Sequence, residues 1–530
     1  MKLKVLVCDP LGEAGLEILK REKNLQVDVK TGLPEKEIKK IVKQYDALIV
    51  RSGTMVTAGI IRAAKKLRVI GRAGVGVDNV DLDEATKQGI IVMNTPEGNT
   101  ISTCEHTMSL LMSVARNIPQ ASQSVKSGEW KRSQFIGTQL SGKTLGVIGL
   151  GRIGREVSAR AAAFGMKVFG YDPFIPKDKF SQAGITLVDL ETLYRQADFI
   201  TVHVPLTPET TSLIGEKEFQ MMKKGVYVLN CARGGIINER ALEQALKSGR
   251  VRGAGLDVFV EEPPKNNPLI AYPQVISTPH LGAATQEAQE NVAVAVAEQV
   301  TDALFERGIK HAVNMPSMDA ESMKILKPWV ALAEKIGLFQ TQLFGGTFRK
   351  VTIRYGGEVA SYKVEPLTLS VLKGLLAPVV GERVNFVNAP SLARERGITV
   401  NENKTTQIED FSNFIEVETA VNGKKNIVTG TLFGNQDSRI VRINEFRLDA
   451  VPKGVVLMIH NEDQPGVVGK LGLILGTHNI NIAEMTLGRH RKGKAVFALT
   501  VINTDHEVPA HVIQEIKNFD PIIDVKMVKL

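Results

Sequence analysis

Three side chains in the middle of the chain have the types and placement to do chemistry together. Arg233 follows the apolar run Val228-Leu229-Asn230-Cys231-Ala232 and precedes two glycines. Glu262 lies just past Leu256-Asp257-Val258-Phe259, and His280 follows Ile276-Ser277-Thr278-Pro279. Taken singly they read as a surface arginine, a solvated acid in Glu261-Glu262-Pro263 and a capping histidine. Taken together they match the needs of alcohol oxidation. An imidazole takes the hydroxyl proton, a carboxylate holds its tautomer, and a guanidinium grips a substrate carboxylate with two N–H bonds. The hydride goes to a nicotinamide, so this chemistry needs no metal.

A nucleotide signal stands upstream of all three. Gly149-Leu150-Gly151-Arg152-Ile153-Gly154 directly follows a strand-like run and opens a helix-like one. Gly149 permits a tight turn, Gly151 lets the backbone approach a pyrophosphate, and Gly154 allows close helix–strand packing; the helix start offers its free N–H groups. Asp172 closes the next strand, where a ribose-binding acid is expected. An acid there favours NAD, because it would repel the 2′-phosphate of NADP.

The elements that must position these groups form two series. In the first hundred residues, apolar runs end at Asp9, Val29, Arg51, Gly74 and Thr95, with helical patterns between several of them. Such spacing calls for crossover connections and a parallel sheet. The second series comprises Thr144–Gly149, Lys167–Asp172, Phe199–Val204, Val226–Cys231, Gly255–Phe259 and Val275–Thr278, alternating with stretches such as Arg155–Phe164 and Glu239–Lys247. Ser102–Arg116 reads as a helix capped by Thr100 or Ser102. The Ala/Val-rich stretch Gln286–Arg307 is a further helix with no chemistry of its own. The expected class is α/β, with two Rossmann-like, doubly wound lobes, the nucleotide lobe inserted into the other.

Around Val313-Asn314-Met315-Pro316 the pattern changes to alternating runs, Val351–Tyr355 and Phe414–Thr419, with a hairpin signal at Asn422-Gly423. The last segment reads strand Val455–His460, helix Val467–Thr477, strands Ile480–Leu487 and Ala495–Asn503, helix Ala510–Asn518 and strand Ile522–Val528. That βαββαβ order is ferredoxin-like. Expected boundaries are 1–98 and 286–316 for the substrate lobe, 99–285 for the nucleotide lobe, 317–452 for an α+β intervening domain and 453–530 for the terminal module.

Composition narrows the function classes. The 530 residues carry a net charge of +9, 43% hydrophobic residues and only 5% aromatic ones. At roughly 150 residues per domain the length allows three or four cores. The positive charge is scattered, and its densest cluster, Arg489-His490-Arg491-Lys492-Gly493-Lys494, reads as a solvated hairpin between strands. Nucleic-acid binding is therefore not expected, since stacking aromatics and a basic stripe are both lacking. No apolar run reaches the ~18 residues of a membrane span, and the apolar part of the N-terminus is too short for a signal peptide. Cys8, Cys104 and Cys231 are odd in number and far apart, which argues against a disulfide framework and for a reducing cytoplasm.

The segments Arg72–Asp78 (RAGVGVD), Gly149–Gly154 (GLGRIG), Asn230–Gly235 (NCARGG), Asp257–Pro263 (DVFVEEP) and Pro279–Gly282 (PHLG) resemble the D-2-hydroxyacid dehydrogenase family. Within it the length and domain order are similar to the long, phosphoglycerate-oxidising branch that opens serine synthesis. The resemblance implies that Arg233, Glu262 and His280 are the substrate arginine, assisting acid and proton-transferring histidine. It implies cofactor contacts at Arg152, Ile153, Asp172, Cys231, Ala232, Asp257 and Leu281-Gly282-Ala283, and at Val75 and Val204 through apolar or backbone atoms. Arg51, Thr54, Arg72 and Gly74 match the substrate lobe. Arg132 matches a phosphate-binding cation, offered across a subunit interface. A substrate with a carboxylate and a phosphate needs separated cationic grips of this kind. His106 is expected to be a satisfied core or interface histidine.

The terminal module resembles the ACT domain, an amino-acid sensor that works in pairs. Asn461, Asp463 and Asn481 match its serine-binding positions, although relatives often carry an aromatic residue or histidine at 461. The resemblance implies 3-phosphoglycerate as substrate, NAD as cofactor, L-serine as effector and a homo-oligomer, a tetramer by analogy. Two other readings stay open: the same chemistry on another 2-hydroxy acid, such as hydroxypyruvate or glyoxylate, and a non-catalytic, NAD-sensing corepressor-like protein.

Overall fold

The computed structural model describes residues 2–176, 184–318, 320–345, 348–381, 383–405, 411–421, 423–434 and 436–530. The first sheet is parallel, in the order Leu25–Val29, Leu3–Val7, Ala47–Val50, Val69–Arg72, Ile91–Asn94. The second is also parallel: Val275–Ser277, Val251–Leu256, Val226–Asn230, Phe199–Val202, Thr144–Ile148, Lys167–Tyr171, Ile185–Leu187. Its order reverses at Thr144–Ile148, since the next strand in the chain lies on one side and Phe199–Val202 on the other. Open α/β sheets leave a crevice at the carboxyl end of such a strand, and Gly149 stands there.

The chain returns to its first lobe after the second sheet. Helix Gln286–Leu304 buries Val292, Val296 and Val300 against Val5, Val7, Ile49 and Val69. The fit requires glycine on both sides: a Cβ on Gly71 would lie 2.5 Å from Val300, and one on Gly15 would lie 2.4 Å from the Ala293 carbonyl. Helix Thr100–Arg116 packs instead on the second sheet, with Leu110 and Val114 over Gly255.

The expected caps of that helix are corrected. Thr100 is its first residue, Asn99 precedes it, and no side chain caps it. The Ser102 hydroxyl donates back to the Asn99 carbonyl at 3.1 Å and so is not available to the helix N–H groups. The phosphate-side helix begins earlier than expected, as Arg152–Ala163, because Gly151 ends the turn at once.

In the middle segment a six-stranded mixed sheet includes Lys350–Gly357 paired antiparallel with Asn413–Val421, which pairs in turn with Lys424–Phe433. Asn422, of the expected Asn-Gly turn, lies outside the described residues. Two long helices, Ala320–Phe344 and Glu365–Val380, accompany this sheet. They cross closely at Gly337 and Gly374, where a Cβ would meet opposing backbone at 2.3 and 2.0 Å.

The terminal sheet is antiparallel, ordered Ile482–Lys492, Ala495–Thr504, Val455–Glu462, Ile522–Lys529. Leu457 and Ile459 face its own helices, Val467–Thr477 and Ala510–Lys517. Alternation turns Val456 and Met458 the other way, into one core with Leu326, Leu332, Ile336 and Ile443 of the middle segment. The two C-terminal units therefore share a core. No helix among the described residues is long and apolar enough to cross a membrane.

Candidate active site

The glycine turn fits the approach of a phosphate. Gly149 sits at φ 93°, and its N–H donates to the Tyr171 carbonyl at 2.8 Å. A Cβ on Gly154 would lie 2.0 Å from the Gly149 carbonyl, whereas one on Gly151 would meet nothing within 4 Å. Gly154 is thus required by packing, and Gly151 leaves open space in front of an uncapped helix start. Asp172 is held at both oxygens: Leu150 N–H donates to Oδ2 and Phe174 N–H to Oδ1, each at 3.0 Å. Arg152 pairs with Glu97 at 3.2 Å. Ile153 and Val204 pack on the lobe core, Val204 beside Gly149.

The structure brings His280 and Glu262 together. His280 Nδ1 and Glu262 Oε2 are 2.7 Å apart, and Phe259 N–H donates to Glu262 Oε1 at 3.1 Å. With a carboxylate as partner, Nδ1 carries the proton and Nε2 is a free base. His280 adopts φ 55°, an uncommon conformation for a non-glycine residue that Asp257 helps to hold. The Asp257 carbonyl accepts His280 N–H at 2.9 Å, and its carboxylate takes Leu281 N–H at 2.7 Å and Gly282 N–H at 2.9 Å. Thr278 Oγ1 (2.6 Å) and His106 Nε2 (3.1 Å) complete its partners. Asp257 is 1% exposed. Burial pushes its pKa up, but the bonds from His106, Thr278 and Leu281 outweigh this and leave it below the usual carboxylate range. His106 is a satisfied histidine in this network, as expected. Ala283 follows this stapled turn directly.

Arg233 enters from the second lobe and meets the first. Its Nε donates to Asp78 Oδ2 at 2.9 Å and its Nη1 to the Ala232 carbonyl at 2.7 Å, leaving the Nη2 end open. A Cβ on Gly234 would lie 2.0 Å from the Phe259 carbonyl, so the arginine loop and the Glu262 loop lie in contact. Cys231 is buried, and burial raises its thiol to about 12, so it stays protonated. The thiols of Cys8 and Cys104 are likewise buried and raised.

Arg72 is mostly buried next to Gly74, and its Nε has no hydrogen-bond partner. Burial, together with the charges of Arg233 and Arg51, lowers its pKa to about 10, against Asp78 and Asp9, which raise it. Three guanidiniums thus crowd one cleft with fewer counter-charges than they need, which is the field an anion seeks. The loop of Arg51 and Thr54 is stapled by Asp9, which accepts Arg51 N–H (2.6 Å), Thr54 N–H (3.1 Å) and the Thr54 hydroxyl (2.8 Å). Asn79 donates to the Arg51 and Thr54 carbonyls. Asn94 holds the Val75 carbonyl, and the Thr95 hydroxyl holds Gly74 N–H. The sequence reading missed Asp9, Asp78, Asn79, Asn94 and Thr95. For Asp9, Asn94 and Thr95 the one local signal was a polar residue closing an apolar strand run; Asp78 and Asn79 lie beyond the run that ends at Gly74 and had no such signal.

Family models match three parts of the chain: the NAD binding domain of the D-isomer specific 2-hydroxyacid dehydrogenases over residues 108–282, the D-3-phosphoglycerate dehydrogenase intervening domain over 325–444, and the ACT domain over 455–520. The D-3-phosphoglycerate dehydrogenase of Archaeoglobus fulgidus is 44% identical, and that of Methanocaldococcus jannaschii 46%, each matched over 100% of both chains. The chain belongs to the D-3-phosphoglycerate dehydrogenase family. It is an NAD-dependent dehydrogenase. Among solved structures, the D-lactate dehydrogenase of Aquifex aeolicus, complexed with NAD and lactic acid, is 29% identical. It covers 57% of this chain, the match spans 96% of its own length, and the TM-score is 0.52.

Two sets of expected residues are not brought together within one chain of this family member. Arg132 sits in an exposed turn near Trp130 and Ile136, which are 80% and 72% exposed. The chain leaving that turn binds Tyr227 through Thr138, at the amino end of the strands and away from the cleft. In the ACT domain, Asn461 pairs with Ala498, while Ile482, next to Asn481, pairs with Thr504 opposite Val455. Six strand residues, about 20 Å, separate the two ends. Asn481 donates to Asp505 and Asp463 pairs with Arg489.

Proposed function

We propose that the chain oxidises 3-phospho-D-glycerate to 3-phosphohydroxypyruvate with NAD, the first step of phosphorylated L-serine synthesis. The His280–Glu262 contact, on a loop that touches the loop of Arg233, carries the reading. Arg233 orients the substrate carboxylate through its free guanidinium end. His280 Nε2 takes the hydroxyl proton, and Glu262 compensates the charge that develops on the imidazole. Bound NAD⁺ accepts the hydride from the substrate carbon. Gly149, Gly151, Gly154, the helix start at Arg152 and Asp172 hold its pyrophosphate and ribose, with Ile153, Val75, Val204, Cys231, Ala232, Asp257 and Leu281–Ala283 around the rest. Asp257 acts chiefly by fixing the turn that carries His280. The cluster of Arg51 and Arg72 near Thr54 and Gly74 receives the phosphate.

The protein works as a homo-oligomer, a tetramer by analogy. Ile118, Val125, Trp130 and Ile136 are exposed large apolar residues within nineteen positions of one another, the kind of surface that supports an interface, and pairing there carries Arg132 towards a partner's cleft. L-serine is the effector at the ACT domain. Because Asn481 lies at the far end of its own sheet, the site takes that residue from a paired ACT domain.

The test is NAD⁺ reduction with 3-phosphoglycerate, comparing the wild type with His280→Ala. A fall of roughly 10²–10⁴ in kcat with NADH binding retained supports the assignment. Near-wild-type turnover contradicts it.

A further inference from the structure

The basic run at Arg489 is not wholly given over to solvent. Arg489 Nε donates to Asp463 Oδ2 at 2.5 Å, and Nη2 donates to the same oxygen. The sheet register places other groups beside this pair. Arg489 stands opposite Ala498, and Ala498 opposite Asn461, so the three share one row on one face. Ala498 contributes only a methyl group between the two longer side chains. The face is the helix-covered one, since Asn461 alternates in step with Leu457 and Ile459.

Asn461 is 1% exposed. Its Nδ2 donates to the Glu462 carbonyl, but its Oδ1 is buried with no hydrogen-bond partner. An acceptor left in this state costs about 1–3 kcal/mol, and such an atom calls for a donor from outside the chain. The same connection, from Asp463 to Gly466, leads into the 11-residue helix Val467–Thr477. Gly466 adopts φ 89° and no side chain caps the helix; Val467 N–H donates to the Gln464 carbonyl at 3.4 Å, and the next two N–H groups are left for an anion.

We propose that Arg489 is the carboxylate-binding residue of an α-amino-acid site formed with Asp463, Asn461 and the helix start. This rests on the effector reading above and names the residue that selects for a zwitterion. In the free protein Arg489 and Asp463 neutralise each other. A zwitterion entering between them exchanges one ion pair for two: its ammonium group goes to Asp463 and the Asn461 Oδ1, and its carboxylate to Arg489 and the helix N–H groups. No charge is stranded by the exchange. A simple amine would separate Arg489 from Asp463 and give nothing in return. A simple acid would be repelled by Asp463.

The test is calorimetric titration of the full-length protein with L-serine and with ethanolamine, which is serine without its carboxylate. Wild type, Arg489→Gln and the charge control Lys494→Gln are compared. The wild type should prefer serine by at least about 100-fold, the value of a paired buried carboxylate. Arg489→Gln frees Asp463 for an ammonium group, so it should bind ethanolamine more tightly and lose at least about 10-fold of the serine preference, while Lys494→Gln behaves as wild type. An undiminished serine preference in Arg489→Gln overturns the role of Arg489 while leaving the effector reading intact. No serine binding by the wild type overturns the effector reading, and this inference with it.

Discussion

Arg233 Nε and Asp78 Oδ2 lie 2.9 Å apart, although one residue belongs to the nucleotide lobe and the other to the first lobe. The contact joins the lobes at the arginine proposed to hold the substrate carboxylate. It also orients the guanidinium, since Nε and Nη1 are occupied and only one end faces outward. Asp78→Asn should keep the geometry and lose the charge, raising KM with little change in kcat. Arg233→Lys removes the planar fork and should lower kcat/KM by about 10²–10³, the cost of a lost charged hydrogen-bond pair. Steady-state kinetics on both variants separate the two effects.

Two glycines of the phosphate turn, Gly154 and Gly151, should behave differently on substitution. Gly154→Ala forces a Cβ to within 2.0 Å of the Gly149 carbonyl and should lower the melting temperature by several degrees. Gly151→Ala meets nothing in the protein. It should melt like the wild type and yet bind NADH at least about 10-fold more weakly, because the methyl occupies the space left for the pyrophosphate. Differential scanning fluorimetry and NADH titration together check this contrast.

A buried histidine sets part of the acid stability. His203 lies under the glycine turn, its Nε2 3.0 Å from the Thr201 hydroxyl and its Nδ1 buried without a partner. Burial lowers its pKa to about 4. Between pH 4 and about 6.5 the unfolded chain therefore binds a proton that the folded one refuses. The stability is complete above pH 6.5 and declines as the pH falls towards 4, by on the order of 3 kcal/mol. His203→Gln should flatten this limb of a urea-denaturation series. An unchanged slope would exclude His203 as its source.

Away from the chain connection near Met318, the middle segment meets the first lobe where Asn385 Nδ2 donates to the Gly89 carbonyl at 2.7 Å. Gly89 follows the helix Leu82–Lys87, whose cap Asp81 lies three residues beyond Asp78. The ACT sheet shares its core with the middle segment, so this bond lies on a contiguous route from effector to cleft. Asn385→Ala should leave uninhibited kcat within about twofold and reduce the serine response by at least half. Inhibition curves at fixed substrate measure it.

The residues proposed to touch ligand could be picked out in the sequence because chemistry dictates their types and strand ends dictate their places. Gly149, Asp172, Glu262 and His280 could each be placed by rules that act over a few residues. The residues that hold them were not legible. Asp9 stabilises Thr54, and Asn94 stabilises Val75, through side-chain hydrogen bonds between distant segments. Such contacts leave no periodicity. The helices Ala320–Phe344 and Glu365–Val380 were hidden for another reason: each contains a proline, Pro328 and Pro378, and the second is buried on nearly every side, so it shows no polar stripe. The reach of Arg489 to Asp463 was obscured by its basic neighbours, which resemble an ordinary solvated turn.

The most direct test of the account is NADH oxidation with 3-phosphohydroxypyruvate against unphosphorylated hydroxypyruvate. The arginine cluster of Arg51 and Arg72, completed by Arg132 of a second copy, predicts a kcat/KM at least about 100-fold higher for the phosphorylated acid. Equal use of the two substrates would contradict the account and leave a general hydroxyacid reductase.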